Sequence, residues 1–257
     1  MLWSMKDIHG FTIGATDGDI GTITECYFDD VSFTVRWLVV DTGGWLANRK
    51  VLVSPMAFRA MDGDHRRITA ALTKMQVEKS PDSDTDKPVS RQHEAIYYSY
   101  YGYDPYWAGS YLWGASPYPQ LGWSPASTPE ELARERRWEW EGRHRDNRHL
   151  RSTRAVAGYH VQATDGDIGH VADFLIDKTS WSIRYLVVDT TNWWAGKKVL
   201  VAPAWVEQVD WDRSKVHVTV TREQIKSSPE YSPAGPMERA YETRLYCHYG
   251  QPRYWAD

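Results

Sequence analysis

Seven residues, Ala15-Thr16-Asp17-Gly18-Asp19-Ile20-Gly21, return unchanged as Ala163 to Gly169, an offset of 148 positions. At the same offset Leu38-Val39-Val40-Asp41-Thr42 falls on Leu186 to Thr190, and Lys50-Val51-Leu52-Val53 falls on Lys198 to Val201. One ungapped register joining separate segments marks an internal duplication, which constrains architecture before any secondary structure is assigned. The chain builds the same unit twice. Its 257 residues leave each copy enough sequence for a small core.

Within a copy the pattern is that of short strands. Gly10-Phe11-Thr12-Ile13-Gly14 alternates, Asp17-Gly18-Asp19 supplies turn chemistry, and Ile20 to Phe28 alternates again, so the first two strands read as a hairpin. Phe33 to Val40 becomes apolar on both faces, as a strand through a core would be. Lys50 to Val53 ends before Pro55, and a last strand lies at about Arg67 to Leu72. Thr73-Lys74-Met75-Gln76 and Thr221-Arg222-Glu223-Gln224 then read as capping boxes of short helices, closed by Ser80-Pro81 and Ser228-Pro229. Five or six strands with almost no helix predict a small closed barrel or a tightly curled sheet.

The duplication extends beyond that unit. Arg91, Glu94, Tyr101-Gly102 and Tyr106-Trp107-Ala108 match Arg239, Glu242, Tyr249-Gly250 and Tyr254-Trp255-Ala256. Each unit therefore carries a tail with a helical stretch and an aromatic end. The implied division is residues 1–81 and 152–229 as the β units, 82–109 and 230–257 as the tails, and 110–151 as an unpaired insert. In the insert, Thr128-Pro129-Glu130-Glu131 offers an N-cap, Pro at N1 and acids in the first turn, a helix start reaching to about Glu141.

Composition narrows the function classes. With 30 basic and 34 acidic residues the formal charge is −4, against general nucleic-acid binding, which calls for a basic excess or face. Cys26 and Cys247 align with Phe174 and Ser99, so they form no duplicated disulfide or metal pair and read as free thiols of a reducing compartment. No apolar run approaches the roughly 18 residues a membrane span needs, and Met1 to Gly10 does not look like a signal peptide. The expected location is cytoplasmic, with peripheral membrane association left open. The 14 Trp and 16 Tyr, against 5 Phe, suit surfaces that become partly buried against something else.

Residue by residue, catalytic and cofactor signals are missing, and the reading is not an enzyme. None of the nine histidines has a His at its repeat partner, and no Gly-x-Ser-x-Gly elbow occurs. Asp17, Asp19, Asp165 and Asp167 offer oxygens of the kind Ca²⁺ takes. The further acidic positions of a Ca²⁺ loop do not follow, so turn formation accounts for these aspartates. Arg36 and Arg184 sit in apolar strands, where a guanidinium must be paired or face solvent. The expected partners are Asp41 or Asp29 for Arg36, and Asp189 or Asp177 for Arg184. Trp45 and Leu46, with Trp193 and Trp194, lie in loops. Together with Tyr106, Trp107, Tyr254 and Trp255 of the tails, they are the expected interface, internal or external.

The two units resemble the PRC-barrel domain. The residues that carry the resemblance are Gly158-Tyr159, Ala163 to Gly169, Asp173 to Asp177, Ile183 to Thr190, Lys197 to Val201 and Pro203. In the first copy they are Gly10-Phe11, Asp17 to Gly21, Phe28-Asp29, Val35 to Asp41 and Val51 to Val53. The resemblance implies a mainly β fold: two small PRC-type β-barrels in tandem, related by a pseudo-twofold, each with a short C-terminal helix and an aromatic tail. This barrel is shared by the cytoplasmic part of the photosynthetic reaction-centre H chain and by a ribosome maturation factor, and the tails look like those of bacterial H-chain-like double-barrel proteins. The family implies no common catalytic residues. The leading expectation is a protein-interaction or adaptor protein packed as an internal pseudo-dimer, with unidentified protein partners and a homodimer left open. Support of a membrane photosynthetic complex, and RNA or ribosome assembly, are the alternatives.

Overall fold

The computed structural model of the protein describes residues 2–81, 91–120, 149–191, 196–233, 235 and 237–255, the side chains of residues 91 and 92 excepted. Its strands are β1 (Leu2–Ser4), β2 (Thr12–Ala15), β3 (Gly18–Asp29), β4 (Thr34–Asp41), β5 (Lys50–Val53), β6 (Phe58–Asp62), β7 (Arg67–Ala70), β8 (Leu150–Ser152), β9 (His160–Ala163), β10 (Gly166–Asp177), β11 (Ile183–Asp189), β12 (Lys198–Val201), β13 (Val206–Asp210) and β14 (Lys215–Val218). Helices are α1 (Met5–Ile8), α2 (Lys74–Glu78), α3 (Arg91–Tyr101), α4 (Thr153–Val156), α5 (Arg222–Ser227) and α6 (Arg239–Tyr249). The fold is mainly β, with two seven-stranded sheets of matching strand order. The chain divides into a first-repeat unit, Asp7–Arg154 with Thr179–Ser182, and a second-repeat unit, Met1–Lys6, Ala155–Lys178 and Ile183–Asp257.

In the first-repeat unit the sheet runs β5-β4-β3-β2-β7-β6, with β8 added to the far end of β3. β4, rich in β-branched and aromatic residues, is buried at every position except its last. The 12-residue β3 can serve β2, β4 and β8 because its pairing with β4 shifts register between Ile23 and Glu25 and again between Tyr27 and Phe28. Each shift bends the strand. β10 repeats both, between Val171 and Asp173 and between Leu175 and Ile176. Gly21 allows the close pass of β3 under the end of β4: its φ is 157°, and a Cβ there would collide with the Asp41 carbonyl.

Among the described residues neither sheet closes into a barrel, so of the two sequence expectations the curled sheet is the one that fits. Among the described residues the edge strands β5 and β6 do not pair. Pro55, which has no N–H, turns the chain out of the ladder there into a short, buried 3₁₀ turn, Pro55–Ala57. Both capping boxes form, Thr73 with Gln76 and Thr221 with Gln224.

Each sheet obtains its seventh strand from the other half of the sequence. β1, at the start of the first repeat, pairs with β10 through Leu2↔Asp177, Trp3↔Ile176 and Ser4↔Leu175. β8, at the start of the second repeat, pairs with β3 through Tyr27↔Ser152, Phe28↔Arg151 and Asp29↔Leu150. Leu2 and Ser4 stand at the repeat positions of Leu150 and Ser152, and the fastening is the same. The Ser4 hydroxyl donates to Asp173 and the Ser152 hydroxyl to Glu25.

The tail helices pack onto their own units through aromatic side chains. In the first-repeat unit Trp37 of β4 lies 5.3 Å from Tyr97 and 5.4 Å from Tyr98 of α3. In the second-repeat unit the indole sits elsewhere: Tyr185 replaces Trp37, while Trp205 replaces Ala57 and lies 5.2 Å from Tyr246. The helix that the insert predicts from Thr128 to Glu141 lies outside the described residues.

Candidate interaction site

The tail helix of the first-repeat unit carries a carboxylate into the core. Glu94 of α3 is 0% exposed, a position costly for a charge unless it is hydrogen-bonded. Its Oε1 accepts from Trp37 Nε1 at 3.1 Å, and its Oε2 accepts from the Tyr106 hydroxyl at 3.2 Å. His149 Nε2 lies 2.9 Å from the same Oε2 and 3.0 Å from the Tyr106 hydroxyl. The ring of Tyr106 in turn supports a second buried charge, since the Arg36 guanidinium carbon stands 3.6 Å from its centroid. Trp113 closes the other side at 4.7 Å. Arg36 donates through Nη1 to the Leu112 carbonyl at 2.7 Å and through Nη2 to Ser32 Oγ at 3.1 Å, and it pairs with Asp29 at 3.5 Å.

The cover over Arg36 is a tight turn. Tyr111 and Gly114 exchange backbone hydrogen bonds, which turns the Leu112 carbonyl and the Trp113 ring towards the arginine. The Trp113 indole N–H is satisfied by the Ser180 carbonyl at 2.8 Å. Burial pushes the Asp29 carboxyl up, but the Arg36 charge and the N–H groups of Val31 and Ser32 outweigh it and hold Asp29 below the usual carboxylate range.

The second-repeat unit contains the same parts in a more open setting. Glu242 of α6 is buried and accepts from Tyr185 at 2.9 Å and Tyr254 at 2.8 Å. Arg239, one turn earlier, pairs with it at 2.8 Å. Arg184 pairs with Asp177 at 3.4 Å and lies 4.4 Å from the Tyr254 centroid. The difference is coverage. The Arg184 side chain is 28% exposed against 2% for Arg36, and the Arg239 side chain is 55% exposed. Tyr254 is 37% exposed, whereas its repeat partner Tyr106 is buried. Partial burial, with Glu242 adding to it and Arg239 opposing, pushes the Tyr254 hydroxyl up to about 12, so it remains a donor at neutral pH. Arg239 also lies 4.4 Å from the Trp255 ring.

Residues 154–225 form a PRC-barrel domain. No curated protein matches the chain. The match to the PRC-barrel domain covers β9 to β14 and enters α5. It includes Arg184 but not α6 or Tyr254, so the exposed cluster is assembled where the PRC-barrel domain meets its tail. The sheet of the first-repeat unit, outside the matched residues, has the same strand order. Among the described residues no helix is long and apolar enough to cross a membrane.

The other sequence-derived candidates take structural places. Of the alternatives for the strand arginines, the structure selects Asp29 and Asp177. Asp41, instead of pairing with Arg36, accepts the Gly43 N–H at 2.9 Å, and Asp189, instead of pairing with Arg184, accepts from Thr191. The strand geometry decides this, because Asp29 and Asp177 sit on the strand neighbouring each arginine, across the sheet. Asp17 and Asp165 accept from the first N–H of α2 and α5, at 2.8 Å and 2.7 Å. Asp19 pairs with Arg67, and Asp167 with Lys215 at 3.6 Å.

Trp45, expected at an interface, is half-buried on its own unit. Its indole donates to the Ile20 carbonyl, and Lys74 lies 4.3 Å from its ring. Leu46 beside it is also half-buried. Tyr106 is buried in the core of its own unit, and Trp107 packs 5.3 Å from Tyr98. Trp193 and Trp194 lie outside the described residues. Sequence reasoning missed Glu94 and His149 as the centre of a buried network. Its one signal was the recurrence of Glu94 as Glu242.

Proposed function

We propose that the chain is a non-enzymatic interaction protein made of two copies of the same β unit, one diverged beyond the PRC-barrel match. Its contact surface is the Arg184–Arg239–Tyr254–Trp255 cluster. One observation carries the reading: Arg36 and Tyr106 are sealed in the first-repeat unit, whereas Arg184 and Tyr254 at the same repeat positions are partly exposed. Arginine and aromatic rings held rigidly by buried partners are the side chains that dominate interface energetics. The non-enzymatic part rests on Glu94 and His149, which are buried and engaged by Trp37 and Tyr106. The duplication, the tails and the expected adaptor role fit this reading. The photosynthetic-complex and ribosome alternatives gain no comparable support.

Photo-crosslinking from position 254 in native cytoplasm tests the proposal. Specific adducts that disappear on Arg239→Ala, with an unchanged melting temperature, support it. Adducts identical with and without Arg239 overturn it.

A further inference from the structure

Strand register sets a row of polar residues side by side across the second-repeat sheet. It runs Asp210, Lys215, His160, His170, Asp189, Lys198, each directly opposite the next. The first-repeat sheet has the same row as Asp62, Arg67, Thr12, Thr22, Asp41, Lys50. The outer charges keep their signs. Only the centre changes chemistry, from two hydroxyls to two imidazoles.

That centre is a place of close approach. Val171 donates its N–H to the Tyr159 carbonyl at 2.8 Å, while the His160 N–H turns away to Ser214 O at 3.0 Å. His160 and His170 are therefore a non-hydrogen-bonded antiparallel pair, the kind whose Cα atoms stand only about 4.5 Å apart. Val161 and Val171, next along each strand, are fully buried, so alternation puts both imidazoles on the outer face. There His160 is exposed and His170 half-buried. Among the described residues no side-chain hydrogen bond engages either ring.

We propose that His160 and His170 together chelate one divalent transition-metal ion of the kind imidazole prefers, Ni²⁺, Cu²⁺ or Zn²⁺. Two nitrogens bound at about 2.0–2.1 Å to one ion lie about 3 Å apart. Rotation about χ1 and χ2 reaches that spacing from directly opposed Cβ atoms about 5 Å apart. Among the described residues no three imidazole, carboxylate or thiol groups converge on one point, so the site has two protein ligands and leaves the other positions to water. Asp189, opposite His170, adds a negative charge beside the ion. Lys215 is held by Gln162 at 3.0 Å and Asp167 at 3.6 Å, and Lys198 stands one strand beyond Asp189. A two-imidazole site does not suit Mg²⁺ or Ca²⁺, which take oxygen ligands. The proposal does not depend on the interaction reading. Sequence spacing hid the pair, because it lies ten residues apart and in one repeat only.

Ni²⁺ is titrated into the full-length protein by isothermal calorimetry, and into ¹⁵N-labelled protein by NMR, where the paramagnetic ion broadens nearby amides. A saturable ion is expected that broadens His160, Val161, Gly169 and His170. His160→Thr and His170→Thr install the residues of the first repeat. Each should weaken this binding at least about tenfold, because the second imidazole closes the chelate intramolecularly. His217→Gln, on β14 but outside the row, should bind normally. If either Thr variant fails to fold, the broadening pattern of the wild-type protein decides. No saturable binding at millimolar Ni²⁺ overturns the proposal. So does binding that survives either Thr substitution, or broadening centred on any other histidine. Displacement of the ion by about a tenfold excess of Mg²⁺ would assign it to carboxylate oxygens and overturn the proposal as well.

Discussion

The guanidinium of Arg36 rests on the ring of Tyr106, 3.6 Å from centroid to carbon, and this contact ties together two networks. The face of Tyr106 serves the Arg36–Asp29 pair, and its hydroxyl serves Glu94 and His149. The tail is thereby joined to the sheet through buried polar groups, which specify a single docking position for α3 more strictly than apolar contact alone. In the second-repeat unit Tyr254 has the same two roles towards Arg184 and Glu242.

Glu94→Ala should cost about 3–5 kcal/mol, the usual penalty for removing one partner of a buried charged network. Trp37, Tyr106 and His149 would all lose their shared acceptor. Glu242→Ala should cost less, because Tyr254 and Arg239 have access to water. Urea unfolding of the two variants gives the comparison. Equal losses would mean that the extra exposure around Glu242 brings no solvation.

Asp29 makes stability pH-dependent in a defined direction. Its carboxyl is depressed in the folded protein, so it contributes stability above the unfolded carboxylate value of about 3.9 and loses it as pH falls through the folded value. Burial shifts its neighbour Asp30 the other way, against the pull of Arg151. The informative quantity is therefore the difference between wild type and Asp29→Asn. The variant should be less stable at neutral pH, and the gap should close below pH ~4. A gap constant down to acid pH would show that the charge of Asp29 is not what stabilises.

The two thiols should separate cleanly. Cys26 is fully buried in β3, and burial pushes its thiol up, away from the reactive thiolate. Cys247 on α6 is exposed. An aromatic disulfide reagent should titrate one thiol in the native protein and the second only after denaturant is added. Modification of both under native conditions would mean that β3 opens readily.

Much of the fold was legible because its signals are local. Asp-Gly turns, β-branched alternation and Thr-x-x-Gln caps each occupy a few residues and appear twice. The candidate site was less legible for a physical reason. Glu94 lies in a polar, tyrosine-rich helix that reads as solvent-facing, and its partners Trp37, Tyr106 and His149 come from distant segments. Tyr106 was expected at an interface, internal or external, and nothing in sequence shows that a buried arginine on β4 will draw its ring inward. Openness of the sheet was equally hidden, because closure depends on whether two edges meet.

The strand exchange leads to the last prediction. Leu2-Trp3-Ser4 is too short to show any periodicity, and by position it belongs to the first repeat, yet its pairing is with Leu175, Ile176 and Asp177. Deleting residues 1–4 should therefore leave the first-repeat unit intact and uncover an edge in the second. The Ser4 contact to Asp173 would go as well. An uncovered edge exposes main-chain N–H and C=O groups and exchanges amides faster. Native-state hydrogen exchange should show loss of protection around Leu175 to Asp177, with β3 and β8 unchanged. The converse variant, Arg151→Pro, removes an N–H from β8 and should loosen Tyr27 to Asp29 instead. If deleting residues 1–4 loosened β3 rather than β10, each repeat would be holding its own first strand, and the exchange would be wrong.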